Sequence, residues 1–190
     1  MMSFAYPRGV CPVQDGFAAS PGYRVESAEA QRWQYLCRIA CSVDRINSVV
    51  ASLIDACLPD EAYAVLVGHW RDDEAETCLS PFMSRLRIQS VLEPHLPLLY
   101  HDGMVGFGLA WYDADGFEEV FVDDHKEISV FCSEEASVDN VLAQFEIPRN
   151  DSLSLLSENP HAHTNLGGPE SAYCRQVIKE LNMRLQRSSK

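Results

Sequence analysis

The segment Arg32–Trp70, RWQYLCRIACSVDRINSVVASLIDACLPDEAYAVLVGHW, changes its apolar period twice, and those changes decide the fold. Trp33, Tyr35, Cys37, Ile39 and Cys41 alternate with Gln34, Leu36, Arg38, Ala40 and Ser42, a period of two that predicts a strand, with a helix as the competing reading because Leu36 and Ala40 soften the contrast. From Ile46 the spacing lengthens to three and four. Ile46, Val49, Val50, Leu53, Ile54, Cys57 and Leu58 fall on one helical stripe. Ser42 or Asp44 is placed to cap that helix, and Pro59 ends it. Ala62–Trp70 is then apolar on both faces, as a central strand is. Strand, helix and strand with short joints predict one sheet carrying both strands, with the helix laid across it.

Further along, Arg71–Glu76 reads as a loop, and Ser80-Pro81 opens a second helix bearing Phe82, Leu86, Val91 and Leu92. Met104–Tyr112, Phe117–Val122 and Glu127–Cys132 read as strands, the first two joined by a turn at Asp113-Ala114-Asp115-Gly116. A helix over Ser137–Glu146 buries Val138, Val141, Leu142 and Phe145, and Ser152–Leu156 reads as a last strand. Gly168-Pro169 launches a final helix with Tyr173, Val177, Leu181 and Leu185 in register. Residues 1–26, with Pro7, Gly9, Pro12, Gly16, Pro21 and Gly22, read as an irregular N-terminal arm. Residues 27–190 then form a single α+β domain. Its expected form is a mostly antiparallel sheet of about five to six strands with about four helices packed on it.

At 190 residues, 46% apolar and 23% charged, the chain has the size and balance of one globular domain. No apolar run is long enough to span a membrane, and Met1–Arg8 has neither the basic start nor the apolar core of a signal peptide. Seven cysteines, an odd number scattered mostly over apolar faces, fit free thiols and a cytoplasmic location. Paired Cys-x-x-Cys spacing is absent, and Cys37-x-x-x-Cys41 is the nearest approach to it.

Charge is concentrated in one segment. His101–Glu158 holds fourteen of the twenty-eight carboxylates and two of the fifteen lysines and arginines, so it carries −12 of the net −13. A body this acidic repels nucleic acid, whose binding requires cationic side chains, and anionic membrane surfaces. A basic protein, a cation or a neutral small molecule remains as partner.

The densest acidic stretch runs from Asp113 to Glu127. Asp113, Asp115, Glu118, Glu119, Asp123, Asp124 and Glu127 surround one lysine there, and with Trp111 as an aromatic anchor they form a candidate partner-binding surface. The competing readings are a solvated sheet edge and a divalent-cation site that draws on His125. A calcium loop is excluded, because Asp113-x-Asp115-Gly116 places its glycine too early. The second candidate is His161-Ala162-His163. In a strand this spacing turns both imidazoles to one face, and a third metal ligand would come from His69, His95, His101, His125 or Glu158. In a loop, which the flanking Asn159-Pro160 and Gly167-Gly168 suggest, that geometry fails.

No nucleophile elbow or phosphate loop is present, and no local spacing anchors a Cys-His-Asn arrangement. Gly106 and Gly108 in Val105-Gly106-Phe107-Gly108 instead suggest a strand that an aromatic ring or a neighbouring backbone approaches closely. The leading expectation is therefore a non-enzymatic binding protein that captures or neutralises a basic protein through 113–127. In size, acidity and lack of catalytic motif it is similar to nuclease inhibitors and to immunity proteins of toxin systems, a likeness of composition alone. On this reading no cofactor is needed. The first alternative is a metal-dependent hydrolase in which His161, His163 and a carboxylate hold a divalent ion, with His125 as a further ligand. The second is a self-associating domain, its basic C-terminal helix (Arg175, Lys179, Arg184, Arg187, Lys190) docking on the acidic segment of a neighbouring copy.

Overall fold

A computed structural model describes residues 4–13, 17–27, 32–71 and 74–186, and for 69–71 and 74 the backbone alone. In chain order its strands and helices begin with β1 (Val10–Pro12), β2 (Gly22–Ser27), β3 (Tyr35–Ala40), α1 (Val43–Cys57), β4 (Glu61–Arg71), β5 (Glu74–Leu79) and β6 (Met83–Ser84). They continue with α2 (Arg85–Leu92), β7 (Val105–Tyr112), β8 (Phe117–Val122), β9 (Ile128–Cys132), α3 (Glu135–Gln144), β10 (His161–His163), α4 (Ala172–Glu180) and β11 (Arg184–Gln186). Single helical turns lie at Glu93–His95, Leu96–Leu99 and Leu156–Glu158.

The main sheet follows the order β11-β5-β4-β7-β8-β9-β3-β2, with β6 paired to the start of β4. Every pairing in it is antiparallel. β1 and β10 form a separate two-stranded antiparallel sheet. The α+β class and the antiparallel sheet are as expected, but the sheet has nine strands among the described residues rather than five or six.

Both period changes in Arg32–Trp70 are realised. β3 turns Cys37 and Ile39 into the core, and α1 buries Ile46, Val49, Val50, Leu53 and Ile54, each side chain worth about 1.5–3 kcal/mol on removal from water. β3 and β4 do share one sheet, though not as neighbours. The meander β7–β8–β9 lies between them, and four antiparallel steps make β3 parallel to β4. α1 crosses over this meander and packs on β8 and α3. Ser42 occupies the cap position of α1, but its hydroxyl accepts from the Ala5 amide at 2.7 Å rather than from the helix.

Elsewhere the structure corrects the sequence expectations. The arm read as irregular supplies β1 and β2. Within the stretch read as a loop, Arg71 ends β4 and Glu74–Glu76 begin β5, while residues 72 and 73 lie outside the described residues. The second helix starts at Arg85, not Ser80, because the buried Ser80 hydroxyl accepts the Ala64 amide at 2.8 Å and ties the chain to β4. Residues 152–155 are turn and coil and Leu156 opens a helical turn, while Leu153 and Leu155 pack on Ala40 and Phe4 instead of joining a sheet. The final helix stops at Glu180. Asn182, with φ of 49°, reverses the chain, and Leu185 joins the edge strand β11 with 45% of its surface exposed. Gly106 and Gly108 meet the expectation set for them, since the Phe121 ring lies over both.

Candidate metal centre

Two local structures meet at one end of the main sheet. The first is the β8–β9 loop, where the Asp123 amide donates to Glu127 O at 3.0 Å and the Glu127 amide to Asp123 Oδ1 at 2.9 Å. Lys126 closes this loop in the left-handed region, with φ of 64°, and its buried ammonium donates to the carbonyls of Val105 and Asp123. Burial pulls that ammonium down to about 8 against the pull of Asp123, Asp124 and Asp102. The second is β10, whose pairing with β1 sets His161 opposite Pro12 and His163 opposite Val10. The strand that the His-x-His spacing requires is thus present, and alternate residues share a face.

His125 from the loop joins His161 and His163 from the strand. Their ring centroids are 4.6–4.9 Å apart, and one ligand nitrogen from each lies within 4.8 Å of the others. His161 Nδ1 is 2.7 Å from Asn159 O, and His163 Nδ1 contacts Gly103 O. A carbonyl only accepts, so each Nδ1 carries the proton and each Nε2 keeps a free lone pair. His125 Nδ1 is 3.0 Å from Asp124 Oδ1 and 3.5 Å from Asp123 Oδ2, contacts that lack hydrogen-bond geometry, so the two carboxylates act on this ring as nearby charges. His163 Nδ1 also lies 3.9 Å from Asp124 Oδ2.

The consequence is a concentration of lone pairs. His125 Nε2 and His161 Nε2 are 3.0 Å apart, a distance that two lone pairs tolerate only with a proton or a cation between them. Burial disfavours a charged His125, yet Asp123 and Asp124 outweigh it and hold the imidazolium up to about 10. Burial likewise opposes the Asp124 anion, but His125 and His163 hold its carboxyl down at about 2. All three rings are half-buried, so the cluster is reachable from solvent. For comparison, zinc ligands at about 2.0–2.1 Å in tetrahedral array stand roughly 3.3 Å from one another.

Of the other ligands that sequence offered, His101 Nδ1 accepts from the Arg8 amide at 3.0 Å, and the ring of His95 faces Tyr173. Glu158 is held by Arg24 and Arg38. The side chain of His69 lies outside the described residues. The carbonyls of Gly103 and Asn159 had no signal in the sequence, because any residue supplies one.

The acidic candidates do not gather on one surface. Asp113 and Asp115 are exposed at the β7–β8 turn, where Asp113 Oδ1 accepts the Asp115 and Gly116 amides at 2.8 Å. These amides hold its carboxyl below the usual range. Asp123, Asp124 and Glu127 lie at the opposite end of β8. There Glu127 is buried, accepts from the Ser157 hydroxyl at 2.7 Å and pairs with Arg38 at 3.4 Å, while burial raises its pKa. Glu118 accepts from the Ser133 hydroxyl at 2.9 Å, and Trp111 packs against the helix-side core rather than standing as a rim anchor. Glu119 is on the opposite sheet face, in register with Ala110 and Phe131 and between Phe117 and Phe121 on its own strand. It has no hydrogen bond or ion pair among the described residues, and burial pushes its carboxyl up to about 7.

No helix among the described residues is long and apolar enough to cross a membrane. The seven cysteines are free, five of them buried. Compared with protein-family models, curated proteins and solved structures, this chain matches none.

Proposed function

We propose that the protein is a metal-dependent hydrolase in which His125, His161 and His163 hold a divalent ion through Nε2. The observation that supports it is the convergence of three imidazoles, two with Nδ1 on a backbone carbonyl and the third with Nδ1 3.0 Å from Asp124 Oδ1. An all-nitrogen donor set of this kind suits zinc best. Three protein ligands leave a fourth position for water, which the ion would acidify towards neutral pH and make a nucleophile. Asp124, beside two of the rings, orients them and strengthens them as donors.

The test is elemental analysis of protein purified without a histidine tag, followed by rates on activated carboxylic and phosphate esters with and without added zinc. One bound zinc per chain and an ester rate lost in His161→Ala are expected. Protein that takes up no zinc would end the reading, and a loaded protein inert on every ester would remove the hydrolase part of it.

The capture of a basic partner stands as a second reading, favoured by the exposed Asp113 and Asp115 at the β7–β8 turn. Its contact residues reduce to that tip, since Asp123, Asp124 and Glu127 are engaged at the other end. Reversing both charges would abolish salt-sensitive retention on an immobilised basic protein, and unchanged retention would remove the reading. The self-association reading has less support. The apolar face of α4 (Tyr173, Cys174 and Val177) is buried in its own chain, and Arg187 and Lys190 lie outside the described residues.

A further inference from the structure

Separately from the histidines, α1, α2, the turn at Leu96–Leu99 and β7 enclose a cavity of about 420 Å³. Its floor is made by Val50, Ile54, Leu92, Tyr100, Phe107 and Leu109, all buried. The rim carries Asn47, Gln89, Ser90 and Glu93. A volume of this size is in the range of small-molecule sites, roughly 300–1,000 Å³, and far above the voids that close packing leaves.

Two features define what would fit. Tyr100 is 5% exposed, and its hydroxyl has no hydrogen-bond partner among the described residues. Its ring is fixed edge-on to Phe107 at 5.1 Å between centroids. That hydroxyl is not sealed from solvent, so in the empty cavity it can bond water, and a bound acceptor would replace that water. The second feature is charge. Among the described residues Glu93 is the one charged residue in the lining, so an anionic head group would meet repulsion and no counter-charge there.

We infer that this cavity binds an uncharged, mainly apolar small molecule carrying one hydrogen-bond acceptor for the Tyr100 hydroxyl. The inference stands apart from the metal centre and survives if that centre takes up no ion. Apolar contact over the floor supplies affinity, and the single polar group sets orientation.

The probe is N-phenyl-1-naphthylamine, a neutral dye that brightens in apolar sites, with decanol and decanoate as competitors on the full chain. The dye should saturate, and decanol should displace it at least roughly tenfold more tightly than decanoate does. Ala51→Trp, at an exposed position of the mouth, should abolish dye binding while circular dichroism and melting temperature stay unchanged. If that variant misfolds, Ser90→Trp on the opposite lip serves the same purpose. Tyr100→Phe should weaken decanol several-fold and leave the dye unaffected. Absence of saturable binding, or binding that survives both tryptophans, would overturn the site. Equal competition by decanoate, or an unchanged decanol affinity in Tyr100→Phe, would overturn the ligand class.

Discussion

Nε2 of His125 and Nε2 of His161 stand 3.0 Å apart, although thirty-six positions separate the two residues in the chain. Each ring has a polar neighbour on its Nδ1 side. One is anchored on Asn159 O and the other beside Asp124. A metal ion that replaced the shared proton would bind the folded chain and not the unfolded one, so it would raise stability by mass action. At about 100 times its dissociation constant, zinc should add roughly 2.7 kcal/mol, or on the order of 5–10 °C for a domain of this size. Scanning calorimetry with zinc against magnesium checks this. His163→Ala should remove most of the zinc response, and magnesium should give none.

Asp124→Asn keeps the size of the side chain but removes the charge beside His125 and His163. Loss of such an outer partner typically lowers metal affinity by roughly 10–100-fold. Competition against a chromophoric chelator should show that loss while the far-ultraviolet spectrum stays the same. An equal affinity in the variant would mean that the carboxylate does not orient the rings.

Gly108 and Gly106 should differ in how they tolerate a methyl group. A Cβ on Gly108 would sit 2.3 Å from Val120 O and 2.8 Å from Phe121 Cα, both backbone. On Gly106 it would first meet the far end of the Phe121 ring, at 2.6 Å. Gly108→Ala is expected to cost about 2–4 kcal/mol by urea melting, with no relief from Phe121→Ala. Gly106→Ala should be partly rescued by Phe121→Ala, so that the pair is non-additive.

Glu119 makes stability depend on pH. Its folded pKa of about 7 lies above the ordinary 4.5, so folding favours the protonated carboxyl. That contribution is complete below the unfolded value near 4.5 and is lost as pH rises through about 7. Glu119→Gln should flatten this part of the pH profile and be the more stable protein at alkaline pH, by at most about 3 kcal/mol. An unchanged profile would show that the carboxyl reaches water in the native state.

Legibility followed the range of the physics. The α1 stripe and the strands β3, β4, β7, β8 and β9 were readable because burial on one or both faces writes a period into the sequence. β1, β6, β10 and β11 are two or three residues long, too short to carry a period, and their pairing comes from the tertiary fold. β5 was hidden by its charges, since Glu74 and Glu76 interrupt any apolar run at its start. In the candidate site, His161 and His163 were visible as a pair, and His125 was one of several histidines in reach. What selected His125 is the topology, which carries the β8–β9 loop to the β1–β10 ribbon. The acidic run was legible as a charge but not as a place, because β8 puts its two halves at opposite ends of a strand.

The meander between β3 and β4 has a consequence for how the chain is made. Synthesis delivers β3, α1 and β4 long before the last of β9 at Cys132, so the two parallel strands have no partners on the sides that will face each other. The two pairings that flank the meander, β4 with β7 and β9 with β3, therefore join strands distant in sequence, which slows folding and leaves apolar strand edges open meanwhile. The half-made chain, more than the finished one, is the form in which this protein is most exposed to aggregation.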